Sequence, residues 1–80
     1  MSVNIKFFGN LTEVTGLDQI TMDHASPVFG SDILKEKLKN IYPALGACKF
    51  TVAVNQIVTS GNQDIHDGDE VALLPPYAGG

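Results

Sequence analysis

Eighty residues allow a single domain, and 44% hydrophobic against 18% charged residues places the chain with globular rather than disordered sequences. No apolar run approaches the ~18 residues of a membrane span, and the opening MSVNIKFF has no basic region leading into an apolar stretch, so no membrane partner and a cytoplasmic location are expected. The net charge is −4 and all five basic residues are lysines (Lys6, Lys35, Lys37, Lys39, Lys49); without a guanidinium fork for phosphate or guanine, nucleic-acid binding is disfavoured, and with Cys48 alone a disulfide framework or a Cys-only zinc or iron–sulfur site is excluded.

Residues 3–8 alternate. Val3, Ile5 and Phe7 fall on one face, and Asn4, Lys6 and Phe8 on the other, which predicts a strand with one buried face and makes Phe8 a candidate contact residue on the wetter one. Gly9-Asn10 breaks the run, residues 11–15 read as a helical turn stopped by Gly16, and residues 17–22 read as a second strand, antiparallel to the first. Residues 23–31 read as a loop, marked by Pro27 and Gly30. Ser31 is the expected N-cap of the main helix, with Asp32 favourably placed in its first turn. Leu34, Leu38 and Ile41 form its apolar stripe, with Ile33 alongside, and Pro43 ends it. Residues 50–54 alternate again, with Phe50, Val52 and Val54 inward. Asn55-Gln56 turns the chain into a short return strand over 57–59, and 60–62 is a loop. Asp67-Gly68-Asp69 is a tight turn, and the apolar run 71–74 fits a central, two-sided strand. The expected order is β-β-α-β-β-β, an α+β roll with one main helix on one face of a mixed sheet.

The chain then reads Pro75-Pro76-Tyr77-Ala78-Gly79-Gly80. The expected organisation is therefore a domain over 1–74 and an extended tail over 75–80. Diproline cannot continue a ladder as donor and favours an extended course; six residues at 3.1–3.3 Å each reach nearly ~20 Å beyond the sheet. Gly79 and Gly80 have almost no side chain, so such an end passes a narrow channel and aims its last carboxylate freely. A carboxylate is a poor acyl donor until it is activated, most simply as an acyl-adenylate made with Mg-ATP. A sulfur or amine nucleophile can then displace AMP. This chain lacks the G-x-x-x-x-G-K-[ST] phosphate loop, so the nucleotide site would lie on a partner.

Other constellations are weaker. Cys48 reads as a buried or incidental thiol. His24 and His66, each beside an aspartate, read as solvated turn residues. Asp64, Asp67, Asp69 and Glu70 do not follow the calcium-loop spacing and read as turn chemistry plus an acidic surface for a basic partner.

Val54-Asn55-Gln56, then Asp67-Gly68-Asp69-Glu70-Val71-Ala72, then Pro75-Pro76 and Gly79-Gly80 resemble the small, MoaD-like subunit of molybdopterin synthase. The segment from Ile5 to Gly9, Glu13-Val14-Thr15-Gly16 and the helix up to Pro43 fit the same pattern. The resemblance implies a ubiquitin-like β-grasp fold. It also implies that a MoeB-like adenylating enzyme would activate the Gly80 carboxylate with Mg-ATP, and that a sulfur donor would convert it to a thiocarboxylate. The tail would then enter a MoaE-like large subunit and deliver sulfur to cyclic pyranopterin monophosphate. In that family two small subunits flank a dimer of large ones, a heterotetramer in which the catalytic side chains belong to the large subunit and the small one binds no cofactor. Carried onto this chain, Gly80 is the catalytic sulfur carrier and Gly79 the slim neck. Pro75, Pro76, Tyr77 and Ala78 form the docking tail, and Phe8 and Leu74 are hydrophobic contacts. Tyr77 is bulkier than the residue many relatives carry there. Alternative readings are a carrier for thiamine or cysteine synthesis, which share the fold and diglycine end, and a ubiquitin-like protein modifier joined through Gly80 to lysine amines. A β-grasp ferredoxin fails for want of cysteines.

Overall fold

The computed structural model describes residues 2–58 and 61–76. Strand β1 (Ser2–Phe7) buries Val3, Ile5 and Phe7 and leaves Asn4 and Lys6 half-exposed, as its alternation requires. Helix α1 (Leu11–Thr15) is one turn ended by Gly16, whose φ of 76° lets its N–H donate to Thr12 O at 2.8 Å. β2 (Gln19–Asp23) returns antiparallel to β1. It starts two residues later than the pattern predicts, because Leu17 belongs to a turn in which its N–H donates to Thr15 Oγ1.

Residues 23–31 are not simply a loop. Val28–Gly30 form β3, paired antiparallel with β6 (Asp64–His66) in a separate two-stranded sheet. Each strand has three residues, too few for a period to register. Their single inward side chains, Phe29 and Ile65, are both buried.

Helix α2 (Ser31–Ile41) corrects two further expectations. Its N-cap is Gly30, and Ser31 is already inside the helix and fully buried. Ser31 Oγ accepts the Gln63 N–H at 2.8 Å, and Ser31 N–H donates to Gln63 O at 2.8 Å. The capping oxygen comes from across the fold: Asn62 Oδ1 accepts the Asp32 N–H at 3.0 Å. That side chain lies so close over Gly30 that a Cβ there would collide with it. At the other end Leu34 and Leu38 are buried, but Ile41 is 54% exposed and Ile33 also faces solvent. Tyr42 leaves helical geometry ahead of Pro43, and the short 3-10 helix Pro43–Ala47 brings Leu45 into the core instead.

β4 (Thr51–Val54) and β5 (Ile57–Val58) form a hairpin through Asn55 and Gln56, both at positive φ. Thr59, expected in the return strand, lies outside the described residues. β7 (Glu70–Leu74) lies at the centre of the main sheet, whose order is β2-β1-β7-β4-β5, parallel to β1 and antiparallel to β4. Leu34 and Leu38 of α2 join Val3, Ile5, Phe7, Val52, Val54, Val71 and Leu73 in one core. A mixed five-stranded sheet wrapped around one main helix, with first and last strands parallel neighbours, is the β-grasp arrangement.

Candidate functional site

β7 was expected to be buried on both sides, yet only one side is covered. Val71 and Leu73 are fully buried beneath α2, whereas Ala72 and Leu74 remain half-exposed on the opposite face. Strand register assembles that face. Gln19, Lys6, Ala72, Ala53 and Val58 follow one another across β2, β1, β7, β4 and β5. The next row begins at Phe8, beside Leu74, which pairs with Thr51. Phe8 is 41% and Val58 61% exposed. The open face is thus mixed: Phe8, Ala72, Leu74 and Val58 are its apolar part, Ala53 is buried between them, and Asn4, Gln19, Thr21 and Thr51 are polar. An ion pair stands on it, with Lys6 Nζ 3.3 Å from Glu70 Oε2, diagonally across the parallel β1–β7 pair.

The chain leaves this face through a shaped exit. The Phe8 N–H donates to Leu73 O at 3.2 Å, extending the ladder one residue past β1. Gly9 follows at a φ of +58°, and a Cβ there would stand 2.7 Å from Pro75 Cγ, so the turn before α1 is a shelf on which the Pro75 ring lies. A cleft of about 360 Å³ opens beside it, lined by residues that include Lys6, Phe8, Thr12 and Asp18. Pro75 is half-buried and Pro76 exposed. Of the sequence-derived candidates, the structure therefore brings together Phe8, Leu74, Pro75 and Pro76. Tyr77, Ala78, Gly79 and Gly80 lie outside the described residues. Alternation alone already puts Lys6 on the face of Phe8; Gln19, Thr51, Ala53, Val58 and Ala72 join it only through the register.

The motif residues of the two turns have a structural task. Asn55 Nδ2 donates to Asp69 Oδ1 at 3.0 Å while its Oδ1 accepts the Glu70 N–H at 3.0 Å, and Asn55 N–H donates to Glu70 O at 2.8 Å. Asp69 Oδ2 accepts the His66 N–H at 2.8 Å. That backbone hydrogen bond, then the one from Asn55, holds the Asp69 carboxyl below its ordinary range, against a smaller opposing effect of burial. Asp67 Oδ1 accepts the Ser2 N–H at 2.7 Å, and Gly68 N–H donates to Ser2 O at 2.8 Å, with Gly68 at a φ of 82°. Two separated sequence motifs are therefore one clamp, which ties the β4–β5 hairpin and the start of β1 to the start of β7. Asp64 stays exposed.

The remaining candidates do not converge. His24 stacks on Phe29, with ring centroids 4.1 Å apart and planes at 6°, and its Nδ1 accepts the Ser26 N–H. His66 lies 3.8 Å from Asp69. Cys48 is half-buried and donates to Ala44 O. Among the described residues no group of three or more His, Cys, Asp or Glu side chains is placed to hold a metal ion. No described helix is long and apolar enough to cross a membrane.

Known proteins agree with this architecture. The sequence model of the ThiS family matches residues 5–80. A molybdopterin synthase sulfur carrier subunit from Dictyostelium discoideum is 39% identical over 80 residues, covering 95% of this chain and 93% of the relative. One of the same name from Mycobacterium tuberculosis is 33% identical over 84 residues, covering 100% and 99%. A putative molybdopterin converting factor subunit 1 from Pyrococcus furiosus superposes with a TM-score of 0.85 at 21% identity, covering 96% of this chain and 99% of that one. Small archaeal modifier protein 1 from Haloferax volcanii gives a TM-score of 0.82 at 26% identity over the whole of both chains. A complex of subunits 1 and 2 of molybdopterin-converting factor from Helicobacter pylori contains a chain with a TM-score of 0.63 at 23% identity, again over the whole of both. With the family match running through the sheet, the clamp and the diglycine, the chain belongs to the ThiS family.

Proposed function

We propose that this chain is the sulfur-carrying small subunit of molybdopterin synthase. The observation that carries the reading is the junction of the two halves of the site: Pro75-Pro76, which lead in sequence to Gly79-Gly80, leave the sheet beside Phe8 and Leu74, at the edge of a face that no described helix covers. The full-length relatives that bear this name support it.

In this reading the chain is substrate and carrier, and the reactive machinery belongs to its partners. A MoeB-like enzyme holds Mg-ATP. The Gly80 carboxylate attacks the α-phosphorus, pyrophosphate leaves, and an acyl-adenylate forms. Hydrosulfide released by a sulfur donor then attacks the unhindered glycyl carbonyl, the acyl–phosphate bond breaks, AMP leaves, the proton passes to water, and a thiocarboxylate remains. The open face with Phe8 and Leu74 docks on a MoaE-like large subunit, and the tail enters its active site, where the catalytic side chains reside. Sulfur passes from Gly80 to cyclic pyranopterin monophosphate, and two deliveries build the dithiolene. The complex of two subunits from Helicobacter pylori is a precedent for such a partner. Incubation with the adenylating enzyme, ATP and a sulfur donor should replace one oxygen by sulfur in the intact mass, and the product should support molybdopterin formation by the large subunit. Formation of the thiocarboxylate without molybdopterin would move the reading to another sulfur pathway.

A second reading, a protein modifier, is favoured by the likeness to small archaeal modifier protein 1. It predicts isopeptide products between Gly80 and lysine amines in the same reaction mixture supplemented with cell proteins.

A further inference from the structure

An ion pair whose neighbours across the register are apolar or uncharged has an energetic consequence once the face is covered. Lys6 and Glu70 are 38% and 42% exposed at their side chains, so water now solvates what their mutual contact leaves over. Across the register Lys6 is flanked by Gln19 and Ala72 and Glu70 by Asn4 and Asn55, all uncharged, and the row toward the exit holds Phe8 and Leu74. Lys6 is the one lysine of the described sheets; Lys35, Lys37 and Lys39 lie on α2 and Lys49 follows the 3-10 helix. A partner that seals this face removes the water from both charges. An ammonium has three donors and a carboxylate several acceptor positions, so one contact leaves capacity on each. A partner that returns no polar group bears the full desolvation penalty, whereas one offering an acceptor opposite Lys6 and a donor opposite Glu70 recovers it.

We infer that Lys6 and Glu70 are the specificity-determining residues of the docking face: they select a partner carrying an acceptor–donor pair of the opposite order and fix its orientation on the sheet. The inference rests on the docking reading above and adds the polar element to it. The apolar residues supply area and tolerate many hydrophobic surfaces. The charged pair discriminates among them, because its mismatch is penalised more than its match is rewarded. It also supplies a direction. The pair sits on the β1–β7 seam, and β7 continues straight into Pro75, so fixing it fixes the line along which the tail enters the partner.

The test is binding to the purified large subunit of molybdopterin synthase from the same source, by calorimetry and by dissociation kinetics. Three chains are compared: wild type, the double reversal Lys6→Glu/Glu70→Lys, and the neutral pair Lys6→Gln/Glu70→Gln. The reversal preserves the attraction within the chain and so should leave the melting temperature nearly unchanged. It should weaken binding at least tenfold, mainly through faster dissociation, and the neutral pair should weaken it about threefold or more. If the reversal folds poorly, the neutral pair decides. Wild-type binding that the folded variants reproduce within twofold overturns the inference alone. No binding by the wild-type chain overturns the docking reading, and this inference with it.

Discussion

The two faces of the main sheet are made by the same strands and differ in what lies on them. Under α2, Val3, Ile5, Phe7, Val71 and Leu73 interlock with Leu34 and Leu38 and exclude water. On the other side Ala72, Leu74, Phe8 and Val58 form the apolar part of a mixed surface that no described helix covers and that carries a charged pair. The contrast is most direct in β7, whose continuous Val71-Ala72-Leu73-Leu74 run is the composition of a strand covered twice. One cover is the helix; the other, in the function proposed, is a second protein.

The contrast breaks most severely from the helix side. Leu38→Ala should cost about 2–5 kcal/mol, read as a lower urea midpoint and melting temperature, because a fully buried leucine leaves a cavity. On the open face Phe8→Ala and Leu74→Ala should change stability by less than about 1 kcal/mol while weakening capture of the large subunit by about 1–2 kcal/mol, measured by calorimetry. If either open-face variant melts as badly as Leu38→Ala, the two faces do not divide stability from binding.

The clamp at the edge of the sheet sharpens the comparison, since its polar residues serve the fold rather than the partner. Asp69→Ala should cost about 1–2 kcal/mol through the bonds lost to His66 and Asn55. Its pH signature has a definite sign. The folded carboxyl titrates below its unfolded value of about 3.9, so its contribution is fully present above that value and is lost as pH falls through it toward the folded one. Urea midpoints measured from pH 6 down to 3 should fall more steeply for wild type than for Asp69→Asn. Asn62→Ala, which removes the oxygen capping α2, should cost about 1 kcal/mol in the same melts and leave partner binding alone.

Much of this was legible where the governing contacts are close in sequence. The alternation of β1 follows from a two-residue period, the Leu34 and Leu38 faces of α2 from a 3.6-residue one, and the Asn55-Gln56 and Asp67-Gly68 turns from the φ values their residues tolerate. What the strands β3 and β6 would do was not legible, because each offers one buried side chain and its hydrogen-bond partner lies more than thirty residues away. Ser31 was misjudged for a similar reason: a cap from Asn62 competes with a local one, and only the folded chain shows which oxygen reaches the helix end.

By itself, then, the amino-acid order determined the period of each long element, the identity of the main turns and the slender diproline–diglycine end, since these depend on backbone sterics and near neighbours. Only the tertiary structure decided that β1 and β7 run side by side, that Gly9 makes a shelf for Pro75, and that Lys6 meets Glu70 on an uncovered face. Those outcomes depend on register between segments brought together by the whole fold, and no local pattern records a register.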